Sequence, residues 1–388
     1  MKKLITAESV TIGHPDKLCD YIADSILDAV LEVDPEARVA CEVMASRGEI
    51  TVAGEITVAH TLPYDDIVSN ALVDAGYNPS DFIQHFNIHE QSPDIKNGVD
   101  TSLEAREGSW DTDEYDRIGA GDQGVVFGYA CNETAELMPL PITIAHDLAK
   151  LLHGARVTAY PDRLKPDGKT QATVIYEDGK PTMIDTVVVS TQHAENLTQT
   201  ELQIMIIDKV IEPAIGCELD NTQILINPSG RFVEGGPSAD TGLTGRKLMV
   251  DSYGGGHHGG GAFSGKDPSK VDRSGAYMAR NIAKTIVASG VAERCEVQIA
   301  YAIGKANPVS FYVETYGTGK ISDEELTMVA LDIFDLRPAA IIDRFKLKRP
   351  IYKQTATYGH FGNPVLPWEI VRPEETAELQ KAVGITTE

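Results

Sequence analysis

Two short stretches of this 388-residue chain combine glycine, histidine and lysine in a way that suits a bound anion. In Thr11-Ile12-Gly13-His14-Pro15-Asp16-Lys17, an imidazole and a carboxylate stand at the first turn of a helix, where free backbone N–H groups favour negative charge. Helix capping explains Pro15 and Asp16 but leaves His14 and Lys17 without a task. In Gly254 to Asp267, six glycines flank the pair His257-His258, and Lys266 and Lys270 add charge nearby. Glycines let a backbone approach a ligand closely and turn successive N–H groups toward it. Gly260 to Lys266 follows the Gly-x4-Gly-Lys part of a phosphate-binding loop, but Asp267 stands where Ser or Thr would hold magnesium. Two blander readings compete: a flexible surface loop, and a His-rich metal site that lacks other ligands clustered in sequence. Asp272, a few residues on, is suited to holding Mg²⁺ beside a polyphosphate.

Further basic turns are Gly242-Leu243-Thr244-Gly245-Arg246-Lys247 and Lys165-Pro166-Asp167-Gly168-Lys169. Each alone reads as a solvated turn; with Lys266, Lys270 and Arg273 they make the ingredients of an anion pocket. Such a pocket would have to be local, because 34 Lys+Arg against 58 Asp+Glu leave a formal charge of −24. That balance argues against non-specific binding to nucleic acid or anionic lipid. Gly119-Ala120-Gly121-Asp122-Gln123-Gly124 reads as a tight turn before the strand-like Val125 to Tyr129. The five cysteines form no CxxC pair, which argues against a zinc site or a disulfide framework. With no sustained apolar run, the chain is expected to be cytoplasmic and without a membrane span.

The elements that must carry these residues repeat. Residues 15–33 have helical spacing, followed by extended runs at 39–45 and 50–58 joined across Arg47-Gly48, then a helix from Tyr64 to about Ala75. The order recurs as a helix at 142–152, strands around 171–176 and 182–191, and a helix over 198–211. It recurs again as a helix at 272–289, strands at 294–303 and 309–316, and a helix after Ser322-Asp323-Glu324-Glu325, a capping sequence. The expected fold is therefore α+β, with three similar sheet-plus-helix units. The division is 1–100, a mobile loop or connector at 101–121, then 122–234 and 235–388. Ser92 to Arg117 lacks periodicity and is acidic, and is read as a lid that closes over bound substrates.

Taken in order, Gly13-His14-Pro15-Asp16-Lys17, Gly119 to Tyr129 (GAGDQGVVFGY) and Gly259 to Asp267 (GGGAFSGKD) resemble the S-adenosylmethionine synthetases, or methionine adenosyltransferases. Supporting stretches are Gln91 to Ile95, Arg163 to Gln171, Ser190 to His193, Asn227 to Lys247 and Tyr358 to Gly362. The resemblance implies pseudo-threefold symmetry and a reaction in which methionine sulfur attacks the ribose 5′ carbon of ATP. Triphosphate is displaced and then hydrolysed to pyrophosphate and phosphate. It also implies active sites shared within a homodimer, with a homotetramer expected. Carried over by motif, His14, Lys169, Arg246, Lys266 and Lys270 are catalytic. Asp167, Phe232, Asp240, Lys247 and Ile303 join them at ATP, the last with Phe232 around adenine. Glu55, Gln91, Asp122, Asp240 and Lys270 fall at methionine. Asp16 and Asp272 would hold two Mg²⁺ ions and Glu42 a K⁺. One departure is the spacer at Gly256-His257-His258, shorter than the family's usual Ala-Arg-His type sequence. Two rival readings are an ATP-dependent kinase or ligase using the same lysines, and a non-catalytic acidic scaffold.

Overall fold

A computed structural model describes residues 2–92, 99–108, 113–216 and 221–384. Eleven strands are present among them: β1 (Lys2–Val10), β2 (Arg38–Ser46), β3 (Glu49–Thr57), β4 (Ile83–His89), β5 (Gly124–Cys131), β6 (Leu164–Glu177), β7 (Lys180–His193), β8 (Gln223–Ile226), β9 (Gly242–Leu243), β10 (Arg294–Tyr301) and β11 (Ser310–Glu314). They form three sheets, ordered β4-β3-β2-β9, β1-β6-β7-β8 and β11-β10-β5. Each is centred on an antiparallel hairpin, β2-β3, β6-β7 or β10-β11. A long helix precedes each hairpin in the chain and packs on its sheet: Pro15–Val33, Leu140–Thr158 and Val271–Ala288 respectively. The α+β, three-unit architecture expected from the periodicity is the one present.

Local chemistry explains these elements. Pro15 begins the first helix, where its missing N–H costs nothing, and the buried stripe Leu18, Ile22, Ile26 and Val30 faces the sheet. Ser322 and Glu325 form a reciprocal capping box at the Asp323–Ile333 helix, as do Thr198 and Glu201 at Gln199–Ile206. The second helix of the central unit continues past Ile206 through one π-helical turn, Ile207–Ile211. β2 alternates strictly, with Val39, Cys41, Val43 and Ala45 buried and Glu42 and Met44 exposed. Two apolar cores result, one beneath the central sheet and one shared by the first and third units.

The sheets do not follow contiguous segments of sequence. β1 leaves the first segment to pair with β6 of the central sheet, from Lys2 opposite Glu177 to Val10 opposite Lys169. β5 pairs with β10 in the third sheet, and β9 returns to the first sheet opposite Met44 and Ala45 of β2. The exchange is cyclic: each hairpin's first strand takes its outer neighbour from another segment. Each exchanged strand also adjoins a sequence motif, since β1 runs into Gly13-His14, β5 follows Gly119 to Gly124, and β9 runs into Gly245-Arg246-Lys247.

Parts of the segment read as a lid lie outside the described residues, at 93–98 and 109–112, which include Trp110. Its described parts are docked. Val99 and Ser102 are buried, Leu103 N–H donates to Gly304 O at 2.7 Å, and the Glu104 carboxylate accepts from Ala306 and Asn307 N–H. Arg337 reaches both Asp113 and Asp116. The acidity that suggested a loose segment supplies acceptors to neighbouring backbone and to two arginines, Arg38 at Asp100 and Arg337 at Asp113 and Asp116.

Gly128 on β5 lies against the Val271–Ala288 helix so closely that a Cβ there would stand 2.0 Å from the Ala279 carbonyl carbon. Gly128→Ala is expected to destabilise the chain by about 1–3 kcal/mol or more, the scale of overpacking. An unchanged midpoint in urea denaturation would show that helix and strand do not meet here.

Candidate active site

The loop before the first helix is fastened to β6. Thr11 donates through N–H to Gly168 O and through Oγ1 to Pro166 O, and Tyr77 Oη donates to Gly13 O. These bonds carry His14 alongside Asp167 and Lys169. His14 caps the Pro15–Val33 helix, its Nδ1 accepting the Asp16 backbone N–H at 3.2 Å. An acceptor Nδ1 leaves the neutral ring's proton on Nε2, so the outward nitrogen is a donor. Burial, with the nearby Lys247 and Lys169 cations, pushes His14 down to about 3.

Asp16 is the hub of this cluster. Its Oδ1 accepts Leu243 N–H at 3.0 Å, its Oδ2 receives Lys247 Nζ at 2.5 Å, and Arg246 lies 3.7 Å away. The lysine bond and the backbone donor hold its carboxyl below the usual range against the cost of burial. Lys169 is exposed and pairs with Glu8 at 2.6 Å. Asp167 accepts Gly236 N–H at 2.8 Å, yet burial pushes it up to about 6. His193 Nε2 accepts Phe232 N–H, and Gln192 donates to Val233 O, which interlocks the segments around 192 and 232. Asp240 is exposed just beyond them.

A second group gathers at the first sheet's edge. Lys266 bridges antiparallel to Ala40 on β2, and Ala40 stands opposite Glu55 on β3, which stands opposite His89 on β4. Gly265 is left-handed at φ 79°, and a Cβ there would lie 2.0 Å from Cys41 O. Only glycine fits that turn. Lys266 Nζ meets Asp272 Oδ2 at 2.6 Å and Lys270 Nζ meets Asp267 Oδ2 at 2.5 Å. Gly121 N–H donates to Ser269 O, which seats the exposed Asp122 turn against this loop. Glu42 is exposed on β2, Glu55 pairs with His89 at 3.0 Å, and Gln91 N–H reaches Thr57 Oγ1. Ile303 is 49 % exposed and bridges to Ala120. No contact joins Ile303 to Phe232 among those of the described residues.

Family models for the N-terminal, central and C-terminal domains of S-adenosylmethionine synthetase match residues 2–99, 117–232 and 234–370. The chain belongs to the S-adenosylmethionine synthetase family. The S-adenosylmethionine synthase of Pseudothermotoga lettingae is 53 % identical over 398 residues, covering 99 % of this chain and 100 % of the relative. That of Clostridium tetani is 54 % identical over 381 residues, 95 % and 97 % of the two chains. The chain is thus an enzyme of the methionine adenosyltransferase type.

Two places singled out in the sequence stand differently in the structure. Lys17 does not face the cationic cluster: it is fully buried, with Nζ bonded to Asp20 at 2.8 Å and to Asp251. The loop around His257 is neither a bare phosphate cradle nor a His-rich metal site. His257 stacks on Tyr129 at 3.6 Å and bonds Glu296 at 2.7 Å, and His258 lies edge-on to Phe127. The short spacer is thereby docked on the third sheet. Among the described residues no group of three or more His, Cys, Asp or Glu could hold a metal by itself. Lone carboxylates such as Asp16 and Asp272 suit Mg²⁺, which keeps waters and shares substrate phosphates rather than filling a protein cage.

Sequence reasoning missed the buried side of the site. Asp20, Asp24 and Asp28 recur every four residues after Asp16 in an otherwise apolar helix, which was the available signal.

His14 is expected to stay neutral at pH 7 and to titrate far below 6.5. Above pH 6.5 the imidazole is neutral in folded and unfolded chains alike. Between 6.5 and about 3 only the unfolded chain takes the proton, so this group's contribution to stability is lost as pH falls through that window. Imidazole NMR shifts, assigned with His14→Gln, check this; a midpoint near 6.5 would mean the ring is not buried beside those lysines.

Proposed function

We propose that the chain makes S-adenosylmethionine from ATP and L-methionine by sulfur attack on the ribose 5′ carbon, with triphosphate leaving and then hydrolysed to pyrophosphate and phosphate. The observation that carries this reading is the meeting of Lys247 and Arg246 at Asp16, with His14 beside them and Lys169 acting on His14, in a chain whose net charge is −24. At physiological ionic strength exposed charges are screened within about 8 Å, so these local cations outweigh the distant acidic surface for a bound polyphosphate. The Nε2–H of neutral His14 is suited to donate to the 5′ oxygen as it gains charge, at no cost in reorganisation. Lys169, Arg246, Lys247, Lys266 and Lys270 hold the leaving triphosphate. Asp167 and Asp240 contact the nucleotide, Phe232 and Ile303 flank adenine, and Glu55, Gln91, Asp122, Asp240 and Lys270 receive methionine. Sulfur is a weak neutral nucleophile, so alignment against a stabilised leaving group supplies most of the acceleration.

Asp16 and Asp272 would each hold a Mg²⁺ and Glu42 a K⁺; when bound, these ions neutralise phosphate charge. Lys247 and Lys266 occupy the carboxylates of Asp16 and Asp272 in the free chain and would turn toward phosphate. We further propose a homodimer with shared sites, assembling to a homotetramer. The first sheet's outer face leaves Met44 40 % and Leu243 39 % exposed beside Glu42 and Glu55. A cavity of about 350 Å³ is lined by His146, Lys150 and Tyr358, and by none of the proposed site residues. An open, partly apolar site face is what a second copy would cover. We propose a cytoplasmic location; no helix among the described residues is long and apolar enough to cross a membrane.

Incubation with ATP, methionine, Mg²⁺ and K⁺ is expected to yield S-adenosylmethionine, pyrophosphate and phosphate by mass spectrometry. ADP as the main methionine-dependent product would favour a kinase instead. Lys266→Ala or His14→Ala should slow synthesis by roughly 10²-fold or more in a folded protein, the scale of losing a preorganised charge stabiliser. Near-normal turnover of either variant at saturating substrates would remove that residue from the mechanism. Mixing inactive Asp16→Asn and Lys266→Ala subunits should restore part of the activity, and an active monomer would refute the shared site.

A further inference from the structure

The Pro15–Val33 helix presents carboxylates at every fourth residue from Asp16 to Asp28, and each accepts backbone N–H groups from chain far along the sequence. Asp16 takes Leu243 at 3.0 Å, Asp20 takes Gly245 at 2.8 Å, and Asp24 takes Gly265 at 2.9 Å. Asp28 takes both Tyr352 and Lys353 at 2.9 Å. Asp20 and Asp24 are fully buried and would be untenable as lone charges. Each has a buried cation: Lys17 at Asp20, and Arg273 at Asp24 through two bonds of 2.7 and 2.8 Å. Lys17 is itself shared with Asp251, which ends the short helix that follows Arg246-Lys247. Arg273 also donates to Lys266 O and Thr355. The amides at 245 and 265 belong to the residues just before Arg246 and Lys266.

We propose that Asp20 and Asp24 are positioning residues that fix the Arg246-Lys247 and Lys266 segments, respectively, on one rigid helix, so that each cationic arm keeps a set geometry in whichever of the shared sites it serves. Neither carboxylate touches substrate, and the inference rests on the reading of those arms as holders of the triphosphate. A backbone N–H pinned by a buried carboxylate cannot drift, which places the following side chain without a covalent link. Asp28 is the internal comparison: it belongs to the same ladder, also bonds backbone, and serves a segment carrying no site residue.

The test uses inorganic triphosphate as probe, measured by calorimetry well below each variant's unfolding temperature. Wild type binds it, Asp20→Ala and Asp24→Ala bind about tenfold more weakly or worse, and Asp28→Ala stays within about twofold, the former being the scale of a lost charge-assisted bond. Equal binding by Asp20→Ala and wild type would overturn the proposal, as would equal weakening by Asp28→Ala, which would mark the ladder as merely stabilising. Absence of binding by wild type would instead overturn the reading of the cationic arms. Asp24→Ala leaves Arg273 buried without its partner and is the variant at risk of not folding; Lys17 keeps Asp251 in Asp20→Ala. Hydrogen exchange of unmodified protein adds a readout free of variants. The Gly245 and Gly265 amides are expected to be as protected as helix-core amides, and rapid exchange at either would overturn the proposal.

Discussion

A helix that buries three consecutive rungs of negative charge can exist only if every rung is satisfied, and the way those rungs are satisfied organises this molecule. Carboxylates inside a protein need cations and donors at close range. Asp16, Asp20 and Asp24 find their donors not within the helix but on chain more than two hundred residues later. The helix therefore gathers the Leu243, Gly245 and Gly265 segments on one flank. Removing a partner from a buried pair such as Asp24–Arg273 would cost on the order of 3–5 kcal/mol, a large share of a typical domain's stability. Asp251 shows how finely the charge is balanced: burial pushes its carboxyl up to about 7 although the Lys17 ammonium favours the charged form.

The same arrangement separates two kinds of cation. Lys17 and Arg273 are spent on internal carboxylates and are closed to solvent, whereas Lys169, Arg246, Lys247, Lys266 and Lys270 keep some exposure. Each of the second set pairs with a carboxylate, exposed at Glu8 for Lys169, partly buried at Asp272 for Lys266, and buried at Asp16 for Arg246 and Lys247 and at Asp267 for Lys270. The exposed Lys169–Glu8 pair contributes little to stability, so its exchange costs little.

Much of this was legible from the residues alone. The Pro15–Val33 and Tyr64–Ala75 helices begin and end where proline, periodicity and glycine place them, and the Ser322 capping box forms as its spacing requires. Local signals suffice where the determinant is local. β1, β4 and β8 carried no clear local signal, because pairing with a distant strand makes a strand of Lys2–Val10. The role of Lys17 was hidden for a related reason: its charge and its place beside Asp16 suggest substrate, and only Asp251 from far along the chain shows it to be buried. His257 likewise shows its preference for Tyr129 and Glu296 only once the third sheet exists.

The cyclic exchange of strands bears on how the chain comes off the ribosome. The outer edge of β2 stays open until Leu243 and Gly242 arrive opposite Met44 and Ala45. At translation speeds of about 5–20 residues per second, that is a wait on the order of ten to forty seconds. For much of that interval β1 waits for the β6-β7 hairpin, which is complete only at His193, and throughout it the carboxylates of Asp20 and Asp24 have neither amide to hold. An unpaired strand edge is a template for the wrong partner. Maturation is therefore a closing of the ring, and a ribosome stalled before residue 242 would release a chain that holds every strand of the central sheet but leaves the first and third sheets incomplete.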